Sequence, residues 1–313
     1  MQAPDPHVKI SVVICSYNRE DYIIEAIDSL YQQTLSKDQF EVLVVDNNNI
    51  DNTGELVMEY KRQHTNFHLT YLTEQRQGAS FARNTGAEFS KGKLLCFMDD
   101  DAIAEKDYLQ RILSFFESHP EATGLGGRII PRYIPAEPKW MSHFVSSMVG
   151  NFDYSKEVRE FEKGKYPLES NMVVVKKDFD AIGGFNTSIP GVKGTLRIGG
   201  EGKDFFFRLQ ALNKKIYYDP SIIVHHVVEV KKLTPHYLYR VASGYGRGER
   251  VRTKAISQAS YYKKIAEYIY KLAGATVIGG FYALKGQPAK TWPVIQFRID
   301  ALKGLLEKPG RGA

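Results

Sequence analysis

An apolar run that ends in three consecutive acids occupies residues 93–101, KLLCFMDDD. The apolar part is typical of a strand that is buried on both faces of a sheet. The carboxylates that follow, Asp99, Asp100 and Asp101, repel one another, so folding would not select them for stability. A divalent hard cation removes this repulsion and can bridge to the two phosphates of a nucleotide. The alternative is helix capping, with Asp101 before a helix that begins near Lys106.

Further strands and helices alternate upstream of this run. Each strand is a short apolar segment, and each helix has apolar residues at three- and four-residue spacing. The predicted strands are residues 8–15, 40–46, 69–74 and 94–98, and the predicted helices between them are residues 23–31, 53–63 and 79–89. Strands and helices at this spacing imply right-handed crossovers. We therefore predict an α/β fold with a Rossmann-like, mostly parallel sheet flanked by helices.

Polar clusters follow the predicted strands, at the edge of the sheet where ligands bind. Ser16, Tyr17 and Arg19 follow the first strand, and Asp46 ends the second. We expect these clusters to meet the three acids in one crevice. The Asp46 carboxylate could accept a hydrogen bond from a nucleobase N–H, or it could form an Asx turn, which such residues form more often.

A glycine and an arginine mark the start of the third predicted helix. Gly78 lies at the junction between loop and helix, and Arg83 lies one turn further on. The guanidinium could face phosphate oxygens or the edge of a nucleobase. The alternative is a surface ion pair with Glu88 or Asp99.

The second half of the chain supplies candidates for a base and for a further metal ligand. Glu201 and Asp204 follow two glycines at the start of a helix, so either could be a general base, or both could be first-turn acids. His225 and His226 end a predicted strand, and only one of them can point into the crevice. We select His225 as the metal ligand that joins the carboxylates.

Two segments of this half are expected to be less regular. The proline-rich residues 126–140, GGRIIPRYIPAEPKW, are predicted to form a loop over the crevice. The predicted structure of residues 215–227, KIYYDPSIIVHHV, is two short strands joined by a turn.

The C-terminal segment is helical in pattern and strongly basic. Residues 229–313 carry 16 Lys/Arg and 5 Asp/Glu, a net charge of +11 in a chain whose total is +6. This segment could contact a phospholipid surface, with its tyrosines and lysines on an interfacial helix. The alternatives are a solvated cationic face, or a helical hairpin packed on the rest of the chain or on a second subunit. It contains no recognisable nucleic-acid module, so nucleic acid is not an expected partner.

The cysteines and the N-terminus indicate a compartment. Cys15 and Cys96 both lie in apolar strands, which favours free thiols in a reducing environment. No signal peptide is evident at the N-terminus. We expect a cytoplasmic protein that contacts the inner face of the membrane, if it contacts a membrane at all.

Together these motifs resemble the inverting glycosyltransferases of family 2, which have the GT-A fold. The resemblance covers residues 9–230 and rests on five segments in the family's order. They are SVVICSYNRE (11–20), VVDNNNIDNT (44–53), GASFARNTGAEFSKGKLLCFMDDD (78–101), GGFN (183–186) and GGEGKDFFFRL (199–209).

The resemblance implies an activity and roles for individual residues. Asp46 would contact the base, Asp99 the ribose or the metal, and Asp101 the metal, which would be Mn²⁺ or Mg²⁺. The other residues of the predicted nucleotide site are Ser16, Tyr17, Arg19, Gly78, Arg83 and Asp100. The implied donor is a nucleotide-diphosphate sugar, by default a UDP-sugar, and the acceptor is a saccharide, lipid-linked or other hydroxyl compound.

The same resemblance divides the chain into three parts. Residues 1–125 would form the nucleotide-sugar-binding half of the catalytic domain, and residues 126–230 the acceptor-side half. Residues 231–313 would form the basic helical extension.

Two departures from the family pattern concern acids. The base-binding loop has Asn47 where the family usually has a second acid. If Arg208 is aligned with the family's arginine, the second acid of the catalytic pair falls on Gly202. The base would then be Glu201 or Asp204, with Glu201 preferred for its place after the glycines. Other functions that suit these features are nucleotidyl transfer, which the absence of a glycine in SYNRE disfavours, and sugar-nucleotide binding without catalysis.

Overall fold

The computed structural model describes residues 7–193 and 196–307. The strands are β1 (Ile10–Ser16), β2 (Phe40–Asp46), β3 (Leu69–Thr73), β4 (Leu94–Asp99), β5 (Ala102–Ala104), β6 (Ala122–Tyr133), β7 (Arg159–Glu160), β8 (Asn171–Val175), β9 (Gly191–Lys193), β10 (Leu196–Ile198) and β11 (Lys215–Val228). The helices are α1 (Ile23–Tyr31), α2 (Thr53–Gln63), α3 (Ala79–Phe89), α4 (Tyr108–Ser118), α5 (His143–Ser146), α6 (Lys176–Ala181), α7 (Glu201–Ala211), α8 (Pro235–Ile256), α9 (Gln258–Leu284) and α10 (Thr291–Leu306).

The described residues form two compact units that alternate along the chain. The first contains residues 7–132, 152–187 and 202–227. The second contains residues 133–151, 188–193, 196–201 and 228–307. The functional halves at 1–125 and 126–230 stay a prediction.

The first unit is built on a mixed sheet with the strand order β3-β2-β1-β4-β8-β6-β11-β5, and β7 pairs with β11. Strands β3, β2, β1 and β4 are parallel, and β8 then joins β4 in the antiparallel direction. Because Ser16 pairs with Asp46 and Cys15 pairs with Asp99, the carboxyl ends of three parallel strands are level. The predicted α/β fold class is confirmed, and so is the position of the three intervening helices.

Both faces of the parallel strands are apolar because both are covered. Val12 of β1 packs in a core cluster that also contains Ile27 of α1. The opposite face of the same strand carries Val13, which packs with Ala82 of α3. A Cβ atom at Gly86 of α3 would lie 2.3 Å from Val13 Cγ1, so this helix approaches the sheet more closely than a larger residue would permit. The continuous apolar runs of the sequence therefore reflect burial on both faces.

Two predictions about the later strands are wrong. Residues 126–133 are not a loop, because they continue β6, and the chain is held there by reciprocal backbone hydrogen bonds between Ile129 and Phe152. The segment from Lys215 to Val228 is one strand instead of two. Its first part pairs with β7 and its last part with β5, so Pro220 lies between the two partners instead of in a turn.

The second unit consists mainly of helices, together with the β9-β10 hairpin. Its core contains Val241 of α8, Ala275 of α9 and Val294 of α10. Helices α8 and α10 approach closely at two glycines. A Cβ at Gly246 would lie 2.0 Å from the Ala301 carbonyl oxygen, and a Cβ at Gly304 would lie 2.0 Å from the Ser243 carbonyl oxygen. The predicted helical character of the C-terminal region is confirmed.

Candidate active site

Two carboxylates and an imidazole come together at the carboxyl end of β4. Asp99 ends that strand, Asp101 follows it, and His226 lies on β11. The connection is β5, in which Ala102 pairs with His226 and so brings the histidine beside Asp101. One ligand atom from each of the three side chains lies within 4.8 Å of the other two. Two oxygens and one nitrogen at this spacing can hold a divalent cation.

The histidine of this cluster is His226, and the choice of His225 from the sequence is corrected. His226 is buried, and its Nε2 atom lies 3.0 Å from Asp101 Oδ1. His225 points to the other side of the strand, where its Nε2 atom lies 2.9 Å from Glu105 Oε1. The alternation of side chains along a strand separates the two imidazoles, but it does not tell which one faces the acids.

The middle acid of the triplet is paired with the first polar loop. Asp100 Oδ1 lies 3.3 Å from Arg19 Nε, and Asp100 Oδ2 accepts a hydrogen bond from the Tyr17 amide at 3.2 Å. Burial raises the pKa of Asp100 to about 7; Arg19 opposes this rise, and the charges of Asp101 and Asp99 add to it. The loop after β1 therefore meets the acids, as the strand order predicted.

Capping does not account for Asp101. Helix α4 begins at Tyr108 and its N-cap residue is Asp107. The Asp101 carboxylate is 3% exposed and contacts Arg19 Nη2 at 3.5 Å as well as His226. Asp101 is therefore a buried member of the acid–histidine cluster and not a helix cap.

Asp46 accepts hydrogen bonds that hold the loop after β2. Its Oδ1 atom accepts a hydrogen bond from the Asn49 amide at 2.7 Å, and its Oδ2 atom accepts one from the Tyr71 hydroxyl. The contacts of the neighbouring Asn47 account for an amide at the position where the family usually has a second acid. Its amide nitrogen donates to the carbonyl oxygens of Glu74 and Arg76, both at 2.9 Å, which a carboxylate could not do.

Arg83 and Gly78 flank the same sheet edge. Arg83 is buried, its Nη2 atom lies 3.7 Å from Asp99 Oδ1, and its guanidinium lies 5.5 Å from the centre of the Phe185 ring. Asp99 was one of the two partners named for the alternative of a surface ion pair, but the guanidinium is buried instead of on the surface. Gly78 has a φ of 140° immediately before α3, a conformation that favours glycine.

Glu201 and Asp204, the acids predicted for the acceptor side, have different surroundings. Asp204 is buried, and its Oδ2 atom lies 2.9 Å from Arg208 Nε. The Arg208 guanidinium also donates to the Ile182 and Gly184 carbonyl oxygens at 2.8 and 2.6 Å. Glu201 is buried at the start of α7. Asp204 is therefore part of a polar anchor for the glycine turn.

The sequence interpretation missed two residues that precede β8. The Ser170 hydroxyl donates to Asp99 Oδ2, and Glu169 Oε1 accepts a hydrogen bond from the Gly202 amide at 2.9 Å. The only signal in the sequence is their position next to a buried strand. That strand's place beside β4 is not evident from chain order.

Comparison with known proteins gives this site a family. Residues 11–182, more than half of the chain, match the family model "Glycosyl transferase family 2". The chain is 26% identical over 227 residues to the glucosyl-dolichyl phosphate glucuronosyltransferase of Haloferax volcanii, which corresponds to 70% of this chain and 69% of that protein.

Two solved structures resemble the whole fold. One is the mannosyltransferase PcManGT of Pyrobaculum calidifontis in complex with GDP-Man and Mn²⁺, with a TM-score of 0.66, 19% identity, and coverage of 98% of this chain and 90% of that one. The other is TarS 1-349 of S. aureus in complex with UDP, with a TM-score of 0.56, 17% identity, and coverage of 95% and 89%. These likenesses show the fold, and the sequence match shows the family. The chain belongs to glycosyl transferase family 2 and is a glycosyltransferase.

Proposed function

We propose that this enzyme transfers a sugar, with inversion, from a nucleoside-diphosphate sugar to an acceptor hydroxyl. The observation that carries the proposal is the cluster of Asp99, Asp101 and His226 at the edge of the sheet where three level strands end. Its donor atoms suit a divalent cation. The imidazole favours a transition-metal ion such as Mn²⁺ over Mg²⁺, which prefers oxygen ligands. When bound, such a cation would stabilise the negative charge of the departing diphosphate.

The donor nucleotide would lie against the polar loops of the same edge. The residues proposed to contact it are Ser16, Tyr17, Arg19, Asp46, Gly78, Arg83, Asp99 and Asp100. Arg83 and Arg19 are the cations of this group, and both already lie beside acids of the triplet. A UDP-sugar is the default donor, but the solved relatives hold UDP in one case and GDP-Man in the other. Both nucleotides therefore belong in a donor screen.

The acceptor hydroxyl would be activated by a carboxylate base on the opposite face of the sugar. Glu201 and Asp204 stay predictions for the catalytic carboxylates. The name of the Haloferax relative describes transfer to a lipid-linked sugar phosphate. An acceptor of this class, in which a saccharide is joined to a lipid, would lie at a membrane surface. The basic C-terminal segment could contact such a surface through its positive charge.

A donor screen tests the proposed function. The purified chain is incubated with UDP-, GDP- and TDP-sugars and with Mn²⁺, Mg²⁺ or EDTA, and nucleoside diphosphate release is measured. We expect release from at least one donor, with a requirement for the metal. Absence of release from every donor would contradict the proposal. Release of pyrophosphate from a nucleoside triphosphate and a sugar phosphate would instead indicate the alternative, nucleotidyl transfer.

We also propose that one face of α9 contacts an anionic membrane surface. Six large side chains on this face are between 54% and 89% exposed: Tyr262, Ile269, Tyr270, Val277, Phe281 and Leu284. Helical periodicity puts Lys263 and Lys285 along one edge of the face. An apolar stripe bordered by lysines suits the boundary between headgroups and acyl chains. None of the helices in residues 7–193 and 196–307 is long and apolar enough to cross a bilayer.

Vesicle flotation tests this contact. The chain should float with vesicles that contain phosphatidylglycerol and stay behind with phosphatidylcholine alone. Val277→Asp should abolish flotation, whereas Leu212→Asp, a matched change at an exposed position outside α9, should not. Failure of the wild type to float would overturn the membrane contact. A dimer that Val277→Asp dissociates would do the same, because a second copy would then cover this face.

A further inference from the structure

Position 202, the second residue of α7, is glycine and has no side chain. A carboxylate from elsewhere in the chain fills the space. A Cβ atom at Gly202 would lie 2.5 Å from Glu169 Oε1 and 2.7 Å from Glu169 Cδ. Such distances are shorter than real Cβ contacts, so a side chain at position 202 and the present position of Glu169 exclude each other.

Glu169 is also the chain neighbour of a residue that contacts the three acids at the end of β4. Its neighbour Ser170 donates a hydrogen bond to Asp99. The strand that follows, β8, runs antiparallel to β4 with Asn171 opposite Met98. Glu169 is therefore held by the chain at the same edge of the sheet as the three acids.

We propose that Glu169 is the general base that takes the proton of the acceptor hydroxyl. This inference rests on the proposed function. Glu169, from the segment that precedes β8, places its carboxylate in the space that a side chain at position 202 of α7 would occupy. The Gly202 amide, 2.9 Å from Glu169 Oε1, fixes the orientation of the carboxylate.

The accessibility of the acids favours Glu169 over the two acids predicted from the sequence. Glu201 and Asp204 are 6% and 8% exposed, and Asp204 is paired with Arg208. Glu169 is half-buried and is therefore more exposed than either of them. A base for an incoming hydroxyl must be reachable from the acceptor side.

The proposed step balances without any further reactant. The acceptor oxygen attacks the anomeric carbon while Glu169 accepts the hydroxyl proton. The bond between the anomeric carbon and the diphosphate oxygen breaks, and its electron pair leaves with the nucleoside diphosphate. Glu169 ends the step protonated and returns the proton to solvent.

Glu169→Gln is the first test, because glutamine keeps an oxygen for the Gly202 amide and removes the base. With water as the acceptor and the donor found in the screen, kcat should fall by about 10²- to 10⁴-fold. The acid limb of the pH profile of kcat/KM should disappear, and the Kd of the nucleoside diphosphate with Mn²⁺ should not change. Glu162→Gln, at an exposed glutamate that pairs with Arg159, is the matched control and should behave as the wild type.

An exchange of the two positions is the second test. Glu169→Gly should be as inactive as Glu169→Gln, and adding Gly202→Asp should restore kcat at least about tenfold, because it returns one carboxylate to the emptied space. Wild-type turnover in Glu169→Gln would overturn the base assignment and leave the proposed function intact. A wild-type enzyme that releases no nucleoside diphosphate from any donor would overturn both. A change in thermal stability with an unchanged pH profile would show that Glu169 only holds the start of α7.

Discussion

The proposed donor side and the proposed acceptor side of the first unit are assembled in different ways. On the donor side, the acids Asp99, Asp100 and Asp101 are consecutive, and parallel pairing brings the ends of β1 and β2 level with them. On the acceptor side, Glu169 and Gly202 are 33 residues apart and act as complements, one filling the space that the other leaves. Residues at the ends of parallel strands can therefore be assigned from chain order. A complementary pair can be assigned only once the packing is known.

The largest expected effect is on the donor side, from Asp101→Ala. This carboxylate is 3% exposed and joins the acids to His226. Its loss should lower metal-dependent nucleoside diphosphate release by about 10³-fold, because the cation would lose an anionic ligand. Circular dichroism would verify that the variant folds. Turnover within tenfold of the wild type would contradict the proposed role of Asp101 as a metal ligand.

A smaller effect should separate the two adjacent histidines. His226→Ala should weaken Mn²⁺ binding by at least about tenfold in the presence of UDP or GDP, as measured by the electron paramagnetic resonance signal of free Mn²⁺. His225→Ala is the matched control, because that imidazole lies beside Glu105 instead of Asp101. Equal Mn²⁺ affinities for the two variants would contradict the placement of His226.

Arg208→Met should show that the Asp204 pair is an anchor. Arg208 holds Asp204 and the carbonyl oxygens of Ile182 and Gly184. Its removal leaves a buried carboxylate without this partner, so the free energy of unfolding should fall by about 2 kcal/mol in a urea titration. An unchanged unfolding midpoint would show that the contacts of Arg208 contribute nothing to the stability of the fold.

The smallest effect should come from Glu74, which fixes the donor-side connection between β3 and α3. Hydrogen bonds from Arg76 and, less strongly, from Thr85 lower its pKa to about 2, against an opposing contribution from burial. Its contribution to stability is therefore complete above about pH 4.5 and is lost as the pH falls towards 2. Glu74→Gln should cost about 1–2 kcal/mol at neutral pH, after allowance for the exposure of Arg76. The difference between variant and wild type should vanish near pH 2, and a constant difference would contradict this role.

The sequence was sufficient for the parallel half of the sheet because each strand there is a continuous apolar run. The bounds of α1, α2 and α3 follow from spacing alone and agree with the structure. The later strands were harder to predict, since β6 contains Pro131 and β11 contains Pro220, and proline usually ends a strand. The strands that pair with β6 and β11 are distant in the chain. The local sequence pattern therefore could not show that each strand continues past its proline.

The same limit explains the errors and omissions at the site. The alternation of a strand separates His225 from His226 without telling which faces the acids, and β5 decides this through its register with β11. Asn47 looked like a missing acid, yet its amide bridges two carbonyl oxygens of the next loop. Gly202 interrupts the predicted pair of acids, and the Glu169 carboxylate, which is distant in the chain, fills the space beside it.

A crystal structure with Mn²⁺ and the nucleoside diphosphate of the active donor tests the central claim most directly. We predict one ion whose ligands include an oxygen of Asp101, Nε2 of His226 and oxygens of the diphosphate. The nucleoside should extend towards the loop that contains Asp46. An ion bound elsewhere, or a nucleotide without an ion at Asp101, would contradict the account.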